Sequence, residues 1–417
     1  MKPHNPPKTW IALPVLDEGM VLPAFLDSLR NQEYHDFTLV VCVNQPEHWW
    51  EMAEKKAVCE RNVQVLNELA EIRDMDIILI DKCTPGNGWE KQKHGVGWAR
   101  KTLMDRINQL ADDNGLIISL DADTVFNPGY IGSVIDTFQH YPQASCLSVP
   151  YYHRLVEDEK ASSAMLRYEI YMRNYSLNLW RIGCPYSFTA LGSAIALPVR
   201  AYRRIGGMTP KKSGEDFYFL QKLRKAGDMV CWNPEKVYPG TRFSDRVYFG
   251  TGPAMIKGSR GEWDSYPIYH HLLFDEILET YALFETLFER TVPTPMDGFL
   301  KEIFREEDIW DPIRKNCKTT GQFIKSAHQK VDALRILQYL KSRQQEAGFG
   351  DEKSLVSLFE RFYPGNGLEN ILEDLDFTCL SVEDLNRIRD FLVEKEEAIQ
   401  EDAILANPWS YERRQKT

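Results

Sequence analysis

The chain contains no apolar run approaching the roughly 18 to 20 residues that a membrane-spanning helix requires. A spanning segment is therefore not expected. Its first ten residues, MKPHNPPKTW, lack an apolar stretch of the secretory type, so a cytoplasmic protein is expected, with contact to a membrane surface left open. Paired cysteine motifs are missing as well. The eight cysteines (Cys42, Cys59, Cys83, Cys146, Cys184, Cys231, Cys317, Cys379) show no C-x-x-C spacing, and most lie in apolar contexts. They read as small buried thiols in a reducing compartment. Positive charge is in deficit: 50 Lys and Arg stand against 61 Asp and Glu, a net charge of −11. That balance argues against a nucleic-acid partner, and any phosphate site must be a local basic patch. Internal repeats and long low-complexity tracts are absent too.

What is present is an ordinary globular composition, 43% hydrophobic and 27% charged, over 417 residues, enough for two or three domains. The first 150 residues alternate between two periods. TWIALPV, FTLVVCV, DIILID, GLIISLD and ASCLSV are short, apolar and β-rich. Between them, Leu22, Phe25, Leu26 and Leu29 recur at helical spacing, as do Val96, Ala99, Leu103, Ile107 and Leu110. Ile131, Val134, Ile135 and Phe138 do the same after Asn127-Pro128, a candidate N-cap and first helical position. Continuous apolar strands alternating with amphipathic helices predict an α/β fold, with a mostly parallel sheet covered on both faces. Residues 151–264 are less regular. From 265 to 417 the pattern is almost wholly helical, and Ser381-Val-Glu-Asp384 reads as a capping box. The expected division is residues 1–264, with halves at about 8–150 and 151–264, followed by a helical region 265–417.

In an open α/β sheet, ligands bind beyond the carboxyl ends of the strands. Asp121 and Asp123 follow the apolar run LIISL at such an end. Two like charges there call for a positive partner. Hard oxygen ligands suit Mg²⁺ or Mn²⁺, usually held by one or two carboxylates plus substrate phosphates. The competing reading is a solvated pair at a strand end. Asp74-Met-Asp76 and Asp374-Leu-Asp376 show the same spacing, and only the strand context separates the first from them. A second acidic pair, Glu215-Asp216, follows Gly214 and opens a helical stripe of Phe217, Leu220 and Leu223. Such a pair complements the helix macrodipole, and it can equally place a general base on a rigid support.

Six segments in order, LPVLDEG, VVCVNQP, GVGWARK, LDADTVFNPGYI, ALGSAIALP and GEDFYFLQKLRKAG, resemble glycosyltransferase family 2 over about residues 8–260. The resemblance implies the GT-A fold and inverting sugar transfer from a nucleoside-diphosphate sugar to an acceptor hydroxyl. It implies that Leu13, Pro14 and Glu18 belong to a first-strand loop against the nucleoside, with Asn44 near the base. Arg100 and Lys101 match the A-R-N stretch. Asp121 is implied to face ribose and metal, Asp123 to bind metal, and Asp216 to act as catalytic base. Glu215, Gly192 and Ser193 fall on the acceptor side. Asn44 replaces a usual aspartate. The Q-x-x-R-W motif of membrane-embedded polysaccharide synthases is absent, so non-processive transfer in solution is expected. His270 and His271 are candidates for a third metal ligand by order alone; an exposed histidine pair at a helix start is the competing reading.

The stretch from Pro239 to Gly261 interleaves glycines with Arg242, Arg246, Lys257 and Arg260, which fits a lid over the donor's diphosphate or a solvated basic loop. Tyr168, Tyr171 and Tyr175 form a stripe that reads as core before it reads as a sugar platform. Two other functions compete. A sugar-nucleotide nucleotidyltransferase would open with a Gly-rich loop, which LPVLDEGM lacks. A non-catalytic GT-A scaffold would use its helical region for interaction. The acceptor, whether saccharide, lipid-linked or small molecule, and the oligomeric state are not legible.

Overall fold

The computed structural model describes residues 6–212, 214–241 and 251–406. Continuous apolar runs become the central strands. β1 (Thr9–Val15) and β2 (Phe37–Asn44) are buried at every position, and β3 (Ile77–Lys82) is half-buried at the edge. β4 (Leu116–Ser119) follows, then the short β5 (Val125–Phe126), β6 (Cys146–Ser148), β7 (Ile195–Pro198), β8 (Met229–Val230) and β9 (Val237–Tyr238). Seven of them form one sheet in the order β3-β2-β1-β4-β7-β6-β8, and β5 pairs with β9 in a separate ribbon. β7 runs antiparallel to both β4 and β6; the other pairings within the large sheet are parallel.

Register decides where the loops open. Val15 lies opposite Val43, Asn44 opposite Lys82, and Ala12 opposite Ser119. The chain therefore leaves β1 to β4 at one common edge. Because β7 is antiparallel and pairs Ile195 with Ser119, it enters the sheet at that same edge. Gly192 and Ser193, just before β7, are thereby brought beside the residues following β4.

The helices named here are α1 (Leu22–Arg30), α2 (Ala53–Glu71), α3 (Val96–Leu110), α4 (Tyr130–His140), α5 (Glu159–Arg181), α6 (Val199–Arg204) and α7 (Glu215–Ala226). The N-cap of α4 is Gly129, two residues later than the Asn127-Pro128 expectation. The Asn127 amide instead donates to Glu235 at 3.0 Å.

The chain separates into two compact units: residues 1–157 with 188–256, and residues 158–187 with 257–417. Residues 158–187, read from sequence as part of the first domain, thus group with the C-terminal helices. The physical reason is a buried seam between α5 and the long helix Val382–Ala406. Arg173 donates to Glu396 at 2.6 Å and to Glu169 at 3.0 Å, and Arg389 donates to Glu169 at 2.6 Å. All four side chains are at most 3% exposed. Leu166, Ile170 and Leu177 complete that core with Leu355, Phe359, Ile388 and Leu392. Tyr168 and Tyr171 stack at 5.9 Å and both meet Tyr266 edge-on, so the tyrosine stripe is core. Ser381 caps the long helix, accepting from the Asp384 N–H at 3.0 Å, as the capping-box pattern predicts. No described helix is long and apolar enough to cross a membrane.

Candidate active site

β4 ends at Ser119, so Asp121 and Asp123 stand in the turn beyond it, at the edge where ligands bind in open sheets. The other two D-x-D matches are built differently. Asp74 pairs with Arg30 at 2.8 Å and Asp76 accepts from Thr38 at 2.5 Å, ahead of β3 rather than beyond it. Asp376 caps its own turn through Thr378.

The positive partner that the Asp121–Asp123 doublet calls for is present in the chain. Arg100, on the buried face of α3 and 3% exposed, donates through Nη2 to Asp121 Oδ1 and through Nη1 to Glu215 Oε1. One guanidinium thus joins the first acidic doublet to the second. The two carboxylates it holds lie within about 8 Å of each other, the span of one guanidinium and two charge-assisted hydrogen bonds. Burial by itself would lower the Arg100 pKa, but Asp121, Glu215 and Asp216 together hold it above its ordinary value. Seen from the acids, three carboxylates share a single cation. Burial raises the Glu215 and Asp216 pKa values, Arg100 opposes the rise in both, and neighbouring carboxylates add to it, Asp216 and Asp121 for Glu215 and Asp121 for Asp216.

Local backbone explains how the second doublet is placed. Gly214 adopts φ +69°, a left-handed conformation that suits glycine, and turns the chain directly into α7. Glu215 then points inward at 3% exposure, and the Asp216 Oδ1 is fixed by the Phe217 N–H at 2.8 Å. Helix α3 comes close enough to support this turn because position 97 is glycine. A Cβ there would overlap the Lys211 carbonyl oxygen and stand 3.1 Å from the Glu215 Cβ. Gly192 plays a comparable part on the other side. A Cβ built on it would overlap Nη1, Nη2 and Cζ of Arg100, so this backbone forms a floor under the guanidinium. The acceptor-side turn implied by resemblance is therefore also the seat of Arg100. Ser193 beside it is buried. On the far side, Gly240 follows β9, and its Cβ would stand 3.0 Å from the Asp123 Cβ.

The donor-side residues divide. Leu13 and Pro14 lie inside β1 and are buried in the sheet, so the loop begins only after Val15. Within it, Asp17 takes φ +55°, pairs with Arg61 at 2.7 Å, and donates its N–H to Asn62 at 2.8 Å. Asn62 in turn donates to Gln45 at 2.7 Å. Arg61 and Asn62 lie in none of the segments that carry the resemblance, and Gln45, within VVCVNQP, gave no sign of being a loop support. The Glu18 carbonyl accepts from Val21 and Leu22 and starts α1. Asn44, expected near a base, is 3% exposed; its amide donates to Val15 O at 2.8 Å and accepts from Trp89 Nε1 at 3.1 Å. Both ends of the amide are thus engaged by the chain itself. Arg242 and Arg246 lie outside the described residues.

No group of three His, Cys, Asp or Glu able to hold a metal ion occurs among the described residues. His270 caps the helix His271–Ala282, accepting from Leu272 at 3.2 Å, and stacks on Phe349 at 4.2 Å. His271 meets Ser357 at 3.1 Å. Both histidines are buried, at 8% and 6% exposure, rather than exposed as expected, and both are spent within the second unit. The Asp121–Asp123 pair still offers oxygen donors alone, the set that suits Mg²⁺ or Mn²⁺ when substrate phosphates complete the shell.

The family model described as "Glycosyl transferase family group 2" matches residues 116–258, a segment carrying both acidic doublets. Residues 116–258 are a glycosyltransferase family 2 segment. The match favours sugar transfer over nucleotidyl transfer, and the mostly parallel sheet is the α/β class expected from the sequence. Several solved structures are similar to this glycosyltransferase. The S. aureus TarS fragment 1–349 in complex with UDP-GlcNAc is 12% identical, with 92% of this chain and 90% of that one covered at a TM-score of 0.40. The same fragment in complex with UDP is 11% identical, covering 82% and 92%, at 0.38. GalNAc-T7 with UDP, GalNAc and Mn²⁺ is 12% identical, covering 79% and 58%, at 0.37. No curated protein sequence matches the chain.

Proposed function

We propose that this glycosyltransferase transfers a sugar from a nucleoside-diphosphate sugar to an acceptor hydroxyl with inversion at C1, in single non-processive events. The observation that carries the reading is Arg100 held between Asp121 and Glu215, because it puts a donor-side and an acceptor-side carboxylate in one site. Asp216 Oδ2 takes the proton of the acceptor hydroxyl as that oxygen attacks C1. The bond from C1 to the diphosphate oxygen breaks on the opposite face, and its electron pair leaves with the diphosphate. Fixing Oδ1 to the Phe217 N–H aims the carboxylate before substrate arrives, so orientation is prepared in advance. Asp121 and Asp123 would hold a divalent ion, Mg²⁺ or Mn²⁺, which when bound offsets charge on the leaving diphosphate. Glu215 and Arg100 act as positioning residues: they fix the start of α7 relative to the β4 turn.

The test is turnover of a panel of UDP- and GDP-sugars by the wild-type protein and by Asp216→Asn, with Mn²⁺ present. Release of nucleoside diphosphate by wild type, lowered by about 10²-fold or more in Asp216→Asn, is expected for a lost general base. Equal turnover in the two proteins would overturn the assignment.

A further inference from the structure

The kind of substrate that approaches Glu215 and Asp216 can be read from positive charge gathered beside them, an inference that rests on the transfer reading above. Residues 91 to 101 include Lys91, Lys93, Arg100 and Lys101 and no acidic residue, in a chain of net charge −11. Lys211 and Lys212 stand just ahead of Gly214 and α7. Folding brings the two segments together: a Cβ at Gly95 would lie 3.4 Å from the Lys212 carbonyl oxygen, and Gly97 packs on Lys211. Two imidazoles lie beside the group and offer ring N–H donors. The His94 and His48 rings meet edge to face with centroids 6.5 Å apart, and His48 Nδ1 is buried without a hydrogen-bond partner among the described residues. Burial, then Lys212, then His48 lower the His94 pKa, which places Lys212 and His48 each within electrostatic reach of His94.

Lys93 pairs with Glu90 at 3.3 Å, and Lys101 with Asp105 at 2.7 Å. Lys91, Lys211 and Lys212 are exposed and form no ion pair among the described residues; Lys211 lies over the Tyr218 ring at 4.2 Å. Like charges concentrated without partners raise the local concentration of anions. The cluster adjoins the Glu215 end of the Arg100 bridge, through Gly97, whereas the diphosphate is assigned to the Asp121 end. We propose that His48, His94, Lys211 and Lys212 form a subsite for a phosphate or similarly anionic group carried by the acceptor. The donor's own diphosphate is the other source of such chemistry, and the experiment separates them.

Binding is measured by calorimetry with UDP or GDP saturating, so that the diphosphate subsite is filled, using tripolyphosphate and glucose 6-phosphate as anionic probes and glucose as the neutral one. Wild type should bind tripolyphosphate, more weakly as salt rises through roughly 50 to 300 mM, and should prefer glucose 6-phosphate to glucose. Lys211→Ala/Lys212→Ala should weaken tripolyphosphate about tenfold or more and leave the nucleoside diphosphate affinity within about twofold; Lys211→Arg/Lys212→Arg should restore binding, excluding misfolding. Unchanged probe binding in the alanine variant, no preference for charged probes in wild type, or loss of nucleoside diphosphate affinity in the alanine variant would each overturn the proposal. Wild type that binds no nucleoside diphosphate at all would remove the transfer reading, and this inference with it.

Discussion

Gly192 and Arg100 occupy a single space: the backbone of one is the surface on which the guanidinium of the other lies, and a methyl group at position 192 would overlap three of its atoms. Arg100 cannot yield freely, because Asp121 holds one end and Glu215 the other. Gly192→Ala should therefore displace the guanidinium and disturb both carboxylates. A loss of about 1 to 3 kcal/mol in stability is expected from such overpacking, and kcat/KM should fall at least about tenfold, since small misplacements in a reacting site are costly. Denaturant unfolding and steady-state kinetics check the two effects separately.

Replacing Arg100 separates charge from geometry. Arg100→Ala strands Glu215 as a buried acid without its partner and should cost about 3 to 5 kcal/mol. Arg100→Lys keeps the charge but supplies no planar fork, so it cannot hold Asp121 and Glu215 together. The lysine variant should regain much of the stability while turnover stays depressed. Full recovery of turnover in Arg100→Lys would show that the bridge is unimportant to the reaction.

Much of the first unit was readable because its strands are apolar at consecutive positions and end in polar residues, the mark of a sheet covered on both faces. Asp121, Asp123 and Asp216 were legible for the same reason: each sits where such an element stops or starts. Arg100 was legible as a residue of interest but not as a bridge, since its partners are 21 and 115 positions away in sequence. Gly192 offered a turn signal and no hint of what lies on it. The internal partners of Asn44, Val15 and Trp89, were not legible, because they come from a neighbouring strand and a distant loop that only the fold brings together. The allegiance of α5 to the C-terminal helices was hidden too, because the partners of Arg173 and Glu169, Glu396 and Arg389, lie 223 and 220 positions away in sequence.

Burial raises the Asp216 pKa, with Arg100 opposing. A general base works ionised, so the rate should fall as pH drops, and should begin to fall above the ordinary aspartate value of about 3.9. Stability should move the opposite way over the same interval. Glu215 and Asp216, raised on folding, bind protons more tightly in the native state than in the unfolded chain, so their contribution is full below the unfolded values and is lost as pH rises through the folded ones. Glu215→Gln should flatten that part of the stability profile, measured as unfolding free energy against pH.

In the second unit, Glu396 accepts from Arg173 at 2.6 Å and from Ser176 at 2.5 Å, all out of contact with water. Glu396→Ala should cost about 3 to 5 kcal/mol, the penalty of leaving a buried guanidinium short of its partner. Exchange of amide hydrogens along Val382–Ala406 should accelerate in the variant. Protection equal to wild type would mean that apolar packing alone holds the helix on α5.

The two acidic doublets are assigned different tasks in one reaction, and a binding-against-turnover comparison tests that division most directly. Nucleoside diphosphate affinity, in the presence of Mn²⁺, and sugar-nucleotide turnover should be measured for wild type, Asp121→Asn and Asp216→Asn. The account predicts that Asp121→Asn loses affinity about tenfold or more, while Asp216→Asn binds within about twofold of wild type yet turns over about 10²-fold more slowly. Asp121→Asn binding as wild type does, or Asp216→Asn turning over at the wild-type rate, would contradict it.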